Sequence, residues 1–369
     1  MDDRSGFEDD RDGPALAELI TRLGEQRQAF LALSTESIRR AWITTIETLL
    51  DRSDPIRQRL VAPLTRGCGL SAPGLDAALD IMLGGVIGPA TDRLFASVSP
   101  DEIDDPRPDV VILAGNIPAL AVQPLLAALV QRRPVVLKSP SNEPVFAPAL
   151  VNALGEHLPD VTRMIAAVTW PGGDASVEQP LFAHARKVVA YGGGETIEAL
   201  HRQLGDRLLA LGPKMSIALV DATDPDVELS TVARRLARDI ALFDQNGCLS
   251  VQAVCTQPSA TRALATALGE ALEELASTLL PGPIDPARAS AIHQLRATTA
   301  MAARFVAPTR LEHGTVVVAP PLPEDGLQPS PGARTVRIHP IDQPDDLAAE
   351  LRAWRGHLQG IAVAGHTWT

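Results

Sequence analysis

Two of the chain's three cysteines lie in one short segment, LFDQNGCLSVQAVCT, residues 242–256. A cysteine does chemistry as an accessible thiolate that attacks an electrophilic carbon and holds the product as a covalent intermediate. Such a thiol is commonly kept near a helix end or among backbone N–H groups. Cys248 meets the positional requirement: it follows Gly247 at the exit of a helical stretch, in a polar run that leads to a strand. Cys255 shares an apolar strand face with Val251 and Ala253 and reads as a small core residue. Cys68, in RGCGL, has no evident partner. The three cysteines form no CxxC pair and the 8 histidines are scattered, so neither a disulfide framework nor a metal site is expected. Position alone makes Cys248 the candidate nucleophile, against a background in which most lone cysteines are structural.

The elements around Cys248 come from the periodicity. Short apolar runs, each followed by a helical stretch, begin at residue 109: DVVILA (109–114), PVVLK (134–138), MIAAVT (164–169), KVVAY (187–191) and MSIALVD (215–221). That alternation predicts a parallel α/β sheet with crossover helices. A helix over 228–244, with Leu229, Val232, Leu236, Ile240 and Phe243 in one stripe, leads to Cys248, and VQAVCT follows as a strand. Further strands are expected at TVVVA (315–319), TVRIHPI (335–341) and GIAVAG (360–365), with a helix over 344–353 and a loop over 320–332. Residues 14–50 carry helical spacing, Leu16, Leu19, Ile20 and Leu23, then Ile38, Trp42, Ile46 and Leu49.

The chain has 369 residues, 45% of them hydrophobic, a length that predicts two or three lobes. Its net charge of −12 opposes general nucleic-acid binding. The N-terminal MDDRSGFEDDRDG is acidic, unlike a basic signal peptide, and reads as a disordered tail on a cytoplasmic protein. The uncharged run 110–131 is long enough to span a membrane, but Gly115, Asn116, Pro118 and Pro124 interrupt it. A buried strand, a turn at Gly115-Asn116 and a helix to about Val130 are expected there instead, with no membrane span.

FDQNGCLS resembles the nucleophile segment of the aldehyde dehydrogenase superfamily, and is more similar still to that of the acyl-CoA reductases of bacterial luminescence. The resemblance runs in order from about residue 108 to 365. AGNIPAL (114–120) resembles the turn whose Asn, here Asn116, meets the substrate oxygen. PVVLKSPS (134–141) resembles the strand whose Lys, here Lys138, contacts the adenine-side ribose of the cofactor. VVAYGGGETIEAL (188–200), with Gly192, Gly193 and Gly194, resembles the strand-turn-helix under the cofactor. Taken alone these residues read more plainly: Asn116 as a helix cap, Lys138 as a solvated strand end, and the glycines as a tight turn that lacks the GxGxxG spacing.

Two departures from the superfamily shape the expected function. Hydrolytic aldehyde dehydrogenases carry a water-activating Glu where this chain has Ala210, so reduction or acyl transfer is favoured over hydrolysis. NAD-preferring relatives carry a ribose-binding Glu where this chain has Ser141, which removes repulsion toward a 2′-phosphate and favours NADPH. The resemblance thus implies NADPH-dependent reduction of a long-chain acyl-CoA or other acyl thioester to the aldehyde, through an acyl group on Cys248. An aldehyde dehydrogenase making acid and a catalytically silent acyl-binding subunit are the alternatives. An acyl-protein synthetase and a homo-oligomer are the macromolecular partners the resemblance leaves open. The expected organisation is a disordered tail (1–13), a helical N-terminal region (14–105), and two Rossmann-like lobes: a cofactor-binding domain (106–240) and a catalytic domain (241–369), the latter shortened at its C-terminus relative to the resembling proteins.

Overall fold

The computed structural model of the protein describes residues 13–98, 105–301, 309–322, 326–342 and 344–366. Apart from Gly13, which opens the first helix, the expected acidic tail lies outside the described residues. Contacts divide the chain into two compact units, Met1–Cys68 with Ala78–Gly212, and Gly69–Ala77 with Pro213–Thr369.

Among the described residues six helices come first: α1 (Gly13–Glu25), α2 (Arg27–Ala32), α3 (Thr35–Leu50), α4 (Pro55–Cys68), α5 (Ala72–Gly84) and α6 (Pro89–Ser97). The α1 stripe, Leu16, Leu19, Ile20 and Leu23, shares one core with Val177, Leu181 and Phe182 of the α/β part of the first unit. Trp42, fully buried on α3, donates its indole N–H to the Val86 carbonyl at 2.8 Å.

The α/β part of the first unit runs β1 (Asp109–Ile112), α7 (Val122–Gln131), β2 (Val135–Lys138), α8 (Phe146–His157), β3 (Ile165–Val168), α9 (Ala175–His184), β4 (Val188–Tyr191), α10 (Gly194–Leu204) and β5 (Leu208–Leu211). All strand pairs are parallel, in the order β3-β2-β1-β4-β5. Every residue of β2 is buried, which is why its sequence is a continuous apolar run rather than an alternation. The chain steps outward from β1 to β3 and then returns to the other side of β1. The carboxyl ends of β1 and β4 therefore flank a switch point, where open α/β sheets hold ligands. β5 has no counterpart among the expected strands: its four residues sit at the sheet edge, with Leu209 53% exposed, and show no alternation to read.

The second unit runs β6 (Met215–Val220), α11 (Leu229–Ala241), β7 (Val251–Thr256), α12 (Thr261–Ala276), α13 (Pro286–Met301), β8 (Thr309–Arg310), β9 (Thr315–Val318), β10 (Thr335–Pro340), α14 (Pro344–Ala353) and β11 (Leu358–Ala364). Its sheet has the order β11-β6-β7-β10-β9-β8, with only the β8–β9 pair antiparallel. β6 is buried on both faces: Ala218 and Val220 pack with α11 and α12, while Met215, Ile217 and Leu219 pack with Leu327, Ile341 and Leu347. A domain boundary at 240/241 would cut α11 from its sheet. The division falls at Gly212/Pro213 instead, because Ala233, Leu236, Ala237 and Ile240 bury the α11 stripe against Val254, Leu264 and Leu268.

Candidate active site

In the second unit the amphipathic α11 ends at Ala241, and the chain must then reverse into β7. It does so through three consecutive non-glycine residues with left-handed backbone, Phe243 (φ 56°), Asp244 (φ 47°) and Gln245 (φ 63°). Each such residue costs on the order of 1 kcal/mol or more, so the bend persists only where surrounding contacts fix it. Those contacts are specific. Asp244 Oδ1 accepts from Arg334 Nε at 2.7 Å, Oδ2 accepts from the Gly282 N–H at 2.8 Å, and its carbonyl accepts from the Ala333 N–H at 3.2 Å. The buried Gln245 amide donates to the carbonyls of Val251 and Thr335 and accepts from the Thr335 N–H, each at 2.8 Å. It thereby joins the first residues of β7 and β10.

Beyond the bend, residues 247–250 form a turn closed by the Ser250 N–H on the Gly247 carbonyl at 3.1 Å. Cys248 occupies the first central position of this turn and is exposed. Its carbonyl accepts from Ser216 Oγ at 2.8 Å, while its own N–H donates to no group among the described residues. An accessible thiol beside an uncommitted N–H is an arrangement that can attack a carbonyl and meet the resulting oxyanion. The other two thiols differ. Burial, assisted by Glu143, pushes the Cys68 thiol up to about 12, and burial, assisted by Glu350, does the same for Cys255. Both remain protonated at neutral pH.

In the first unit, Asn116, Lys138 and Gly192–Gly194 follow or end β1, β2 and β4, three adjacent strands, and so line the carboxyl edge of one sheet. Asn116 is exposed in the turn after β1. That turn is fixed by Asn142, whose Nδ2 donates to the Gly115 carbonyl at 3.0 Å and to the Gly67 carbonyl at 2.8 Å. A Cβ on Gly115 would lie 2.0 Å from Asn142 Oδ1, so only glycine allows this approach. Lys138 is buried, its ammonium 5.7 Å from the centroid of the Trp170 ring, and burial lowers its pKa against the opposing influence of Glu178. Glu178 accepts from Trp170 Nε1 at 3.3 Å and from the Gly173 N–H at 3.0 Å. Next to Lys138, the buried Ser139 hydroxyl has no partner among the described residues. Ser141 is exposed. Gly193 is the N-cap of α10 and Gly194 its first residue, and a Cβ at either would meet nothing within 4 Å. Ala210 lies exposed in β5, opposite Ala190 of β4.

Sequence reasoning missed Asp244, Gln245 and Arg334 around the Cys248 turn, and Asn142, Trp170 and Glu178 at the sheet edge. Asp244 and Gln245 were visible as a polar pair after an apolar helix, but their partners lie 90 residues away along the chain. Among the described residues no group of three or more His, Cys, Asp or Glu side chains could hold a metal ion, and no single helix is long and apolar enough to cross a membrane.

Three comparisons bear on the identity of this arrangement. The profile of the acyl-CoA reductase (LuxC) family matches residues 106–367. The long-chain acyl-protein thioester reductase of Aliivibrio fischeri is 31% identical over 150 residues, 39% of this chain and 31% of that protein. The long-chain acyl-protein thioester reductase of Photorhabdus luminescens is 33% identical over 149 residues, 39% of this chain and 30% of that protein. The match thus spans about a third of the length of these relatives. Among solved structures, an NAD-dependent benzaldehyde dehydrogenase from Corynebacterium glutamicum superposes with a TM-score of 0.71 at 13% identity, over 97% of this chain and 87% of that one. The glyceraldehyde-3-phosphate dehydrogenase of Methanocaldococcus jannaschii, complexed with NADP, gives 0.71 at 11% identity, over 98% and 87%. At such identities the likeness is one of fold, and the fold is that of the aldehyde dehydrogenases. The profile match covers more than half of the sequence, and on that ground the chain belongs to the acyl-CoA reductase (LuxC) family.

Proposed function

We propose that the protein reduces a long-chain acyl thioester to the aldehyde, with NADPH as reductant and Cys248 as nucleophile. The observation that carries this reading is the presentation of Cys248, the one exposed thiol of three, on an anchored bend with its own N–H uncommitted among the described residues. Family membership and the thioester-reductase names of the relatives support it.

In the proposed sequence the Cys248 thiolate adds to the thioester carbonyl. Negative charge gathers on the carbonyl oxygen, where the Cys248 N–H and the Asn116 amide are the proposed donors. Collapse of the adduct breaks the bond to the departing thiol, which takes up a proton, and leaves the acyl group on Cys248. One thioester has replaced another, so the step is nearly balanced in free energy. When bound, NADPH supplies a hydride to the acyl carbon. The resulting thiohemiacetal then breaks its C–S bond, releasing aldehyde and returning the thiolate. Ala210 offers no carboxylate to activate water, which keeps the acyl group available for reduction.

For the cofactor, the carboxyl edge of the first-unit sheet has suitable parts. Lys138 offers a partly dehydrated cation, the unpartnered Ser139 hydroxyl a spare polar group, and Gly193–Gly194 an open helix N-terminus for phosphate oxygens. Ser141 places no negative charge where a 2′-phosphate would approach.

The test follows NADPH absorbance and aldehyde formation with a long-chain acyl-CoA in one arm and a fatty acyl thioester on a protein cysteine in the other. The second arm represents delivery by an acyl-protein synthetase. Turnover in either arm is expected, falling below about 10⁻³ of wild type in Cys248→Ala. Equal rates in the two proteins would remove Cys248 from the mechanism. Acid formed from aldehyde and NADP, without thioester reduction, would replace the proposal with aldehyde oxidation.

A further inference from the structure

The Asp244–Arg334 pair takes no part in the steps above, yet its two side chains are only 8% and 1% exposed. It links two backbone stretches that are both left-handed at non-glycine residues, Phe243–Gln245 and Ala333–Arg334. The Ala333 N–H reaches the Asp244 carbonyl, so the stretches are joined through main chain and side chain together. Arg334 Nη1 also donates to the Leu279 carbonyl at 2.8 Å, which draws the 279–282 loop into the same knot. On the far side of the bend, Arg288 of α13 donates to Asn246 Oδ1 at 3.0 Å.

A Phe-Asp-Gln run free of these contacts favours right-handed or extended backbone. Reversing the sign of φ there would redirect the chain that follows, and Cys248 stands three residues beyond Gln245. A buried ion pair is a poor device for stability alone, since neutral, well-packed side chains serve a fold equally well. Its directional hydrogen bonds do fix a geometry. We infer that Asp244 and Arg334, with Gln245, are positioning residues for Cys248: they hold the strained bend that sets the direction of the thiol and of its N–H without touching the acyl group. The inference rests on Cys248 being the nucleophile, but the geometry it asserts is measurable without catalysis.

Asp244→Asn keeps the shape and the tolerance for left-handed backbone while turning one acceptor into a donor that faces the Gly282 N–H or Arg334. Arg334→Lys keeps the charge and loses the fork. If the single variants do not fold, the neutral pair Asp244→Asn/Arg334→Gln replaces them. Three quantities are read on the full chain: hydrogen exchange over 242–250 against the β6 segment 215–220, kcat and KM for acyl thioester per folded molecule, and iodoacetamide labelling of Cys248, for which the buried Cys68 and Cys255 give little background. Exchange over 242–250 is expected to rise at least tenfold with 215–220 within twofold. kcat should fall at least tenfold with KM within threefold, and labelling should stay within threefold because the thiol remains exposed. Exchange and kcat within twofold of wild type would overturn the inference. A parallel rise over 215–220, or failure of every variant to fold, would also overturn it, since the pair would then serve the sheet as a whole. A wild-type protein without turnover whose variants still show the local rise in exchange would refute the reductase reading and leave the positioning role standing.

Discussion

Lys138 and Ser141 are three residues apart and differ in what surrounds them. The Lys138 ammonium is buried beside the Trp170 ring, and burial lowers its pKa, so an anion near it would be met in a medium that screens poorly. Ser141 lies exposed and neutral at the end of the same segment. In the proposed cofactor site, a carboxylate introduced at Ser141 would repel the additional phosphate that distinguishes NADPH from NADH. Ser141→Glu is therefore expected to lower kcat/KM with NADPH by about tenfold or more, equivalent to at least ~1.4 kcal/mol, and to change it with NADH by less than about threefold. Both values come from one set of initial-rate measurements, and an unchanged ratio would remove Ser141 from the cofactor site. The resemblance identified both positions from local sequence. The Trp170–Glu178 contacts that hold Lys138 were invisible there, because Trp170 is 32 residues from Lys138 and reaches it only once β2 and β3 pair.

At the scale of elements, the N-terminus of α10 separates the demands of folding from those of binding. None of Gly192, Gly193 and Gly194 has a positive φ, and a Cβ at Gly193 or Gly194 would enter open space. The fold by itself does not require glycine there. Alanine inside a helix is favoured over glycine by up to ~1 kcal/mol, so Gly194→Ala should leave the melting temperature unchanged or raise it. If phosphate oxygens approach this backbone, the added methyl obstructs them, and KM for NADPH should rise about fivefold or more. A stable variant with unchanged KM would show that the cofactor does not use this helix end. Gly115 gives the opposite contrast. Gly115→Ala would drive a Cβ into Asn142 and break its link between Gly67 and Gly115, so it should lower both the melting temperature and kcat. The glycines look alike in sequence, and only the neighbours supplied by the fold distinguish them.

Across the whole molecule, Glu143 in the first compact unit and His339 in the second are buried titratable groups outside the proposed chemistry. In the first, burial raises the Glu143 carboxyl to about 7 from its ordinary 4.5, despite N–H groups of Phe146 and Val145 that favour the charge. In the second, burial and then Arg337 lower the His339 imidazole to about 4 from 6.5, against the opposing influence of the Pro320 carbonyl. The folded state holds the Glu143 proton more tightly than the unfolded chain does. Its contribution is thus complete below pH 4.5 and disappears as pH rises through about 7. The folded state holds the His339 proton less tightly, so that contribution is complete above pH 6.5 and disappears as pH falls through about 4. Each amounts to roughly 3 kcal/mol. The first unit should therefore lose stability on going from pH 4.5 to 7, and the second on going from pH 6.5 to 4. Peptide-resolved hydrogen exchange measures the two slopes separately. Glu143→Gln should flatten the first and His339→Leu the second, and slopes that survive these substitutions would assign the pH dependence to other groups.

Local sequence was enough for the α/β architecture, the approximate place of every long strand, the exposed setting of Cys248 and the buried one of Cys255. Those features follow from short-range periodicity, because an apolar run or a helical stripe must bury its face wherever the chain goes. The tertiary structure alone decided the left-handed bend at Phe243–Gln245, the Asp244–Arg334 pair that spans 90 residues, the Asn142 bridge to Gly67 and Gly115, the edge strand β5 and the division at Gly212/Pro213. In each of these, the conformation of one residue is set by a partner brought close only by the return of the chain, and no local pattern contains that distance.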